Sequence, residues 1–336
     1  MKVDKLRTVI IYIIIILLGL VCLLPLLNIV AISFSSSAAV EGNMVGLIPV
    51  GFSTAAYKKI LEDSQFWHSF LISVERVVLA LIINFVLIVL MAYPLSKTNA
   101  QFRGRNIYAN LMIFAMLFNG GMIPTFLVVK SYGLLNTVWA LVLPGAVPIF
   151  NVILVMNFFA AVPKELEEAA FIDGANPFQV LTKIFIPISK PVLATVSLFS
   201  IVGSWNDFYS GLIYMSKAAY YPLMTYIQSL QINVEDLIKQ GNLSAVVDSA
   251  SLGNTNLNAA KIVIAVIPLL LIYPLLQRYF VSGIVVGSVK GLIYILANLY
   301  SFRALRRRGA LSDKTTIQSL YLGERYDSKV SLWCPL

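Results

Sequence analysis

The chain has 336 residues, 59% of them hydrophobic and only 12% charged, with a formal net charge of +9. A soluble globular domain holds about 45–50% apolar and roughly 25% charged residues, so this chain has too little polar surface to coat a water-soluble particle, and its mean hydropathy of +0.83 makes lipid the solvent for much of it. The positive charge does not point to nucleic acid, because Lys and Arg stand mainly beside the ends of apolar runs, where they orient membrane helices.

A helix needs roughly 20 apolar residues to cross about 30 Å of hydrocarbon. Six runs meet that requirement, at about 9–32, 70–95, 107–129, 137–161, 192–214 and 259–280. The first follows Lys2, Lys5 and Arg7 like a secretory signal, but it far exceeds a 7–15-residue apolar core and reads as a retained span. Val21 before Cys22 is not the small residue that lipoprotein processing wants. Pro25, Pro144, Pro148 and Pro268 lie inside runs, which a helix bundle tolerates.

The cationic flanks orient the chain. Lys2, Lys5 and Arg7 precede the first run, Lys97, Arg103 and Arg105 follow the second, and Lys164, Lys183 and Lys190 follow the fourth. Those segments are predicted to be cytoplasmic, and with them both termini. Glu75 and Arg76 then open the second span and belong at the interface. Two long segments fall on the outside: 33–69, and 215–258 with Tyr220, Tyr221, Glu235 and Asp236. Together with Trp67 these tyrosines offer faces on which a ring-shaped solute can stack, though interfacial aromatic belts are the commoner explanation.

The cytoplasmic segment 162–191 reads as two short helices around a break. Pro163 suits a first helical position, and Glu165, Glu167 and Glu168 occupy the first turns, where the helix dipole favours negative charge. Gly174 supplies the left-handed residue that closes the first helix. Asn176 and Pro177 cap and open the second, which is predicted to run to about Phe185 with Pro187 ending it.

These residues carry a resemblance. Glu168-Ala169-Ala170, Gly174 and Ile184-Phe185-Ile186-Pro187 resemble the EAA loop of binding-protein-dependent ABC importer permeases, with Ile186 where the family usually has Leu. Asn206 and Asp207 after Trp205 are similar to the W-N-(D/E) run of the carbohydrate branch, and Asn119–Pro124 resembles a subgroup for complex polysaccharides.

The resemblance implies an all-α integral membrane protein, a six-span ABC importer type I permease over 1–291, in the cytoplasmic membrane of a bacterium. Its implied partners are a second permease chain, an ATP-binding cassette ATPase dimer, an extracytoplasmic solute-binding protein, membrane lipid and a carbohydrate substrate. The implied contacts with the ATPase are Glu168, Ala169, Ala170, Gly174, Ile184 and Pro187. Asn206 and Asp207 are candidate pathway residues, although for Asp207 a structural bond to a neighbouring helix is an equal alternative.

The residues argue against catalysis and cofactors. There is no G-x-x-x-x-G-K-[ST] phosphate loop, so ATP hydrolysis is expected on a separate subunit. Ser and Asp lack a His partner for nucleophilic chemistry. The single His68 and the widely separated Cys22 and Cys334 suggest neither a zinc site nor a disulfide framework. Two alternatives stay open: an ABC permease for another solute class, and a secondary transporter without an ATPase. After Gly291 the composition shifts to a short apolar stretch and the basic cluster 303–308. That tail, 292–336, is either an extension on the membrane surface or an unselected, disordered segment, and the abrupt shift favours the second.

Overall fold

A computed structural model of the chain describes residues 2–230 and 255–277. They belong to one unit, Met1–Tyr279, and among them all regular structure is helical. The tail, the Gly287–Gly291 stretch, and Glu235 and Asp236 lie outside the described residues.

α1 (Lys2–Ser33) is exposed on every face over 9–27, as an apolar helix made for lipid or a partner would be. Its end is anchored: Ala31 and Ser33 are buried, and Ser33 Oγ meets Tyr57 Oη at 2.8 Å. Two short helices follow, α2 (Ser37–Glu41), capped by Ser36, and α3 (Ala55–Glu62).

α4 (Ser64–Leu95) is the axis of the fold. Asp63 caps it, accepting the Phe66 N–H at 3.0 Å. Its buried residues recur every third or fourth position: Phe66, Ser69, Ser73, Arg76, Ala80, Asn84, Ile88, Ala92 and Leu95. Several are small, which lets neighbouring backbones come close. The helix starts six residues before the expected 70, so Arg76 is not at its beginning but three turns in, on the buried stripe.

The third run is not one straight helix. α5 (Arg105–Leu117) and α6 (Met122–Ser131) meet at 111°. Gly121, at φ 88°, makes the corner, and Asn119 Oδ1 accepts its N–H at 3.0 Å. The fourth run bends by 48° between α7 (Val138–Val142), which runs into a 3₁₀ turn at Leu143–Gly145, and α8 (Ile149–Ala160). Pro144 and Pro148 flank that bend, each lacking the N–H that a continuous helix needs.

After α9 (Lys164–Ile172), α10 (Pro177–Val180) and α11 (Ile186–Ile188), the chain turns by 84° into α12 (Lys190–Asn206). α12 stops at Asp207, and α13 (Tyr209–Tyr214) follows, so the expected run 192–214 is also interrupted. A helix at 223–230, α14, and α15 (Thr255–Gln277) complete the described chain. Three helices, Thr8–Ser33, Ser64–Leu95 and Thr255–Gln277, are long and apolar enough to cross a membrane alone, and counting each bent pair as one span gives up to six.

α4 and α12 pack side by side in opposite directions and contribute to two cores. One joins Ile88, Val89, Ala92 and Leu95 to Val155 and Phe159 of α8, to Val180, Leu181 and Phe185, and to Val192 and Val196 of α12. The other, at the opposite end of α4, joins Phe66 to Trp205, Ile60, Leu223 and Ala260. There the Trp205 indole donates to the Ala265 carbonyl at 3.0 Å, and the Trp67 indole donates to Ile60 at 3.1 Å, so Trp67 is held within the packing.

Candidate functional site

The segment between α8 and α12 is built by local chemistry. Pro163 stands just outside α9 rather than at its first position. Gly174, at φ 81°, turns the chain; its N–H reaches the Phe171 carbonyl at 3.1 Å and the Ala175 N–H reaches Ala170 at 2.9 Å. No atom lies within 4 Å of where a Cβ would stand, so the need for glycine here is conformational, not steric. Asn176 and Gln179 then cap reciprocally: Gln179 N–H donates to Asn176 Oδ1 at 2.8 Å, and Asn176 N–H to Gln179 Oε1 at 3.0 Å.

The second helix does not end ahead of Pro187. Over Leu181–Phe185 it widens into a π-type turn in which the Ile186 N–H reaches back five residues to Leu181. It resumes as α11 through Pro187 and breaks only at Ser189. A missing proline N–H breaks the ordinary four-residue ladder, and a π-bulge is one way to absorb the mismatch.

The two helices differ in how they sit. Val180, Leu181 and Phe185 are buried in the core, and the Phe185 ring stands edge-on to Phe159 and Tyr93 at 5.4 and 5.1 Å. Of α9 only Glu167 is buried. Among the six residues expected at the ATPase, Ala170 and Ile184 are half-buried against the core, whereas Glu168, Ala169, Gly174 and Pro187 are exposed. Ile172 and Phe178 leave 87% and 66% of their surface uncovered beside them.

Glu167 is no part of the motif, which marks its neighbour Glu168. Both of its oxygens lie 2.7 Å from Lys97 Nζ. Glu167 stands three residues before Ala170, on the same helix face, and that periodicity was the available signal. Burial pulls the Lys97 ammonium below its ordinary pKa, against the opposing pull of Glu167.

A cavity of about 250 Å³ lies among α4, the α7–α8 bend and α12, lined in part by Arg76, Asn84, Asn151, Ser200, Ser204 and Asp207. Arg76, 3% exposed, ion-pairs with the Asp207 carboxylate and donates to the Asp207 carbonyl at 2.8 Å. Ser210 Oγ donates to the same carboxylate at 2.6 Å. Asn84, with its Nδ2 toward the Ala80 and Ala146 carbonyls, accepts from Ser200 Oγ at 3.3 Å. The two expected pathway residues therefore part company: Asp207 lines the cavity, and Asn206 is exposed outside its lining. The expectation for Arg76 is corrected, since it is buried and lines the cavity; its place in the three-to-four spacing of α4 is the signal that marks it.

At the far end of α4, Lys261 Nζ meets Asp63 Oδ2 at 2.8 Å and the Tyr226 hydroxyl donates to the same oxygen at 2.9 Å. Burial alone would raise the Asp63 pKa, but the Lys261 hydrogen bond and charge, with the Phe66 and Tyr226 hydrogen bonds, together outweigh it and hold the carboxyl below its usual value. The Tyr226 hydroxyl is pushed up by burial and by Asp63. Among the described residues no three His, Cys, Asp or Glu side chains gather as metal ligands would.

The family model described as binding-protein-dependent transport system inner membrane component matches residues 76–286. The chain is 41% identical over 273 residues to Protein LplC of Bacillus subtilis, covering 81% of this chain and 91% of that one. It is 39% identical over 288 residues to the polygalacturonan/rhamnogalacturonan transport system permease protein YtcP of the same organism, covering 86% and 99%. Among solved structures, a chain of a bacterial ABC transporter involved in the import of the acidic polysaccharide alginate superposes with a TM-score of 0.73 at 32% identity, over 83% of this chain and 98% of that one.

Proposed function

The chain belongs to the family of binding-protein-dependent transport system inner membrane components, and from that premise we propose that it forms the translocation pathway for an oligosaccharide and takes its driving force through α9–α11. As a member it is the permease subunit of an ABC importer, a multi-pass inner-membrane protein and a transport subunit rather than an enzyme. An importer of this kind works with a partner permease, an ATPase and a binding protein. A carrier independent of any ATPase is set aside by this membership.

The proposal's finer content concerns residues and cargo. The observation that carries it is the division of the coupling segment: α10 and the widened turn are rooted among α4, α8 and α12, while α9 offers Glu168, Ala169 and Ile172 outward. An ATPase gripping that outward face would move α9, and the rooted helices would carry the displacement into the spans as a rigid body, opening the cavity to one side and then the other. Glu168 is the charged contact, Ala169 and Ala170 the close-packing surface and Gly174 the turn. Asp207 lines the path.

Carbohydrate cargo is supported by the relatives, which carry polygalacturonan/rhamnogalacturonan and alginate. Amides, hydroxyls and a paired charge around the cavity suit a hydroxyl-rich solute. The second permease is taken to be a different chain, the ATPase a dimer, and the binding protein extracytoplasmic, facing the segment 215–258. Both termini are assigned to the cytoplasm from the cationic flanks, and the permease domain to 1–291. Replacing Glu168 by Ala together with Gly174 by Val tests the core of this: the protein should insert in the membrane but lose oligosaccharide uptake and co-purification with the ATPase. Uptake at the parental rate would refute the assignment.

A further inference from the structure

α9 is the element that an ATPase would push, yet its hold on the rest of the chain is slight. Its one buried residue is Glu167, and the partner of that carboxylate comes from Lys97, two residues past the end of α4. The Lys97 and Glu167 side chains are only 12% and 10% exposed. The ammonium also lies 4.1 Å from the centroid of the Tyr93 ring on α4 and 4.3 Å from that of Phe185 in the widened turn, close enough for cation–π attraction to both. One cation therefore touches α4, α9 and the segment between α10 and α11 at once.

A buried pair of this sort adds little net stability over an apolar contact of the same shape, but removing one partner strands a buried charge. What the pair adds is direction, because Nζ bridging both oxygens fixes the rotation of α9 where apolar packing would let it slide. Adjacent carboxylates on α9 thus differ in setting, Glu168 exposed and Glu167 buried. We infer that Lys97 and Glu167 are positioning residues through which displacement of α9 is transmitted to α4, so that the pair sets how much solute is imported per ATP hydrolysed. This rests on the reading of α9 as the ATPase-facing helix.

The test uses the complete importer in proteoliposomes, with both permease chains, the ATPase and the loaded binding protein, and reads solute imported per ATP. Lys97→Gln and Glu167→Gln should assemble with the ATPase and hydrolyse ATP, with import per ATP about tenfold lower, in the range of ordinary coupling between sites. Lys97→Arg, which keeps the charge and can stack on both rings, should restore most of the ratio. Neutral variants that assemble and keep the parental ratio overturn the inference. If neither neutral variant assembles, the ratio is read on Glu167→Asp, which withdraws the carboxylate by one methylene: a clear fall supports the role, and no change overturns it. Failure of the underlying reading would look different, since the Glu168→Ala, Gly174→Val protein would then keep both its ATPase and parental uptake.

Discussion

At one end of α4, Asp63 accepts from Phe66, Tyr226 and Lys261; at the other, Glu167 takes both its bonds from the single Lys97 ammonium. The first pair lies beside a core that gathers α3, α4, α12, α14 and α15, where several donors hold one carboxylate and no single bond decides its position. The second fastens an element whose other face is open. The same chemistry, a carboxylate and a lysine largely withdrawn from water, serves as a rivet at one end and as a linkage at the other. What separates them is the number of alternative contacts, not the strength of the pair.

That contrast can be broken or sharpened by measurement. The largest effect is expected from Asp63→Ala, which strands the buried Lys261 ammonium and should lower unfolding stability in detergent by about 3 kcal/mol or more; transport per ATP in the complexes that assemble should stay near parental. An equal loss of coupling there would erase the distinction between the two ends.

The same carboxylate makes the far end sensitive to acid. Asp63 has a folded pKa below its ordinary 3.8, so its contribution is fully present above that ordinary value and disappears as pH falls through the folded one. A melting-temperature profile from pH 6 downward should show the acid-side fall, and Asp63→Asn should flatten that component. An unchanged profile would mean that Lys261 and Tyr226 do not read the charge.

A smaller effect is expected at the coupling end. Asn176→Ala removes a cap from α10 and should cost about 1 kcal/mol, felt as reduced uptake more than as a lower melting temperature, because α10 is anchored by Val180 and the segment is only locally loosened. A drop in stability comparable to that of Asp63→Ala would mean that the cap, and not the packing of Val180, holds α10 in place. The least effect is expected from cutting the chain after Gly291, which should leave uptake unchanged; a marked loss would assign the tail a role.

Much of the coupling segment was legible before any fold was known, since glycine at a left-handed corner, Asn-Pro at a helix start and carboxylates in a first turn are local rules. The helix that passes through Pro187 was not, because the outcome depended on a π-type turn held between α4, α8 and α12. The corner in the third run is not legible either, although Gly120 and Gly121 lie inside it, because an apolar window averages over such a corner. An apolar run that starts at 70 puts Arg76 near its beginning, and no local signal ties that residue to Asp207, which is 131 positions away.

Composition and order along the chain determined by themselves that lipid is the solvent, where the apolar runs lie and where the break in the coupling segment falls, because each depends on residues close in sequence. Only the tertiary structure decided which of two neighbouring carboxylates turns inward, which of Asn206 and Asp207 meets the cavity, and which cation neutralises each buried acid. Those outcomes depend on how distant helices pair, and a charge in an apolar setting is settled by whichever opposite charge the packing delivers to it.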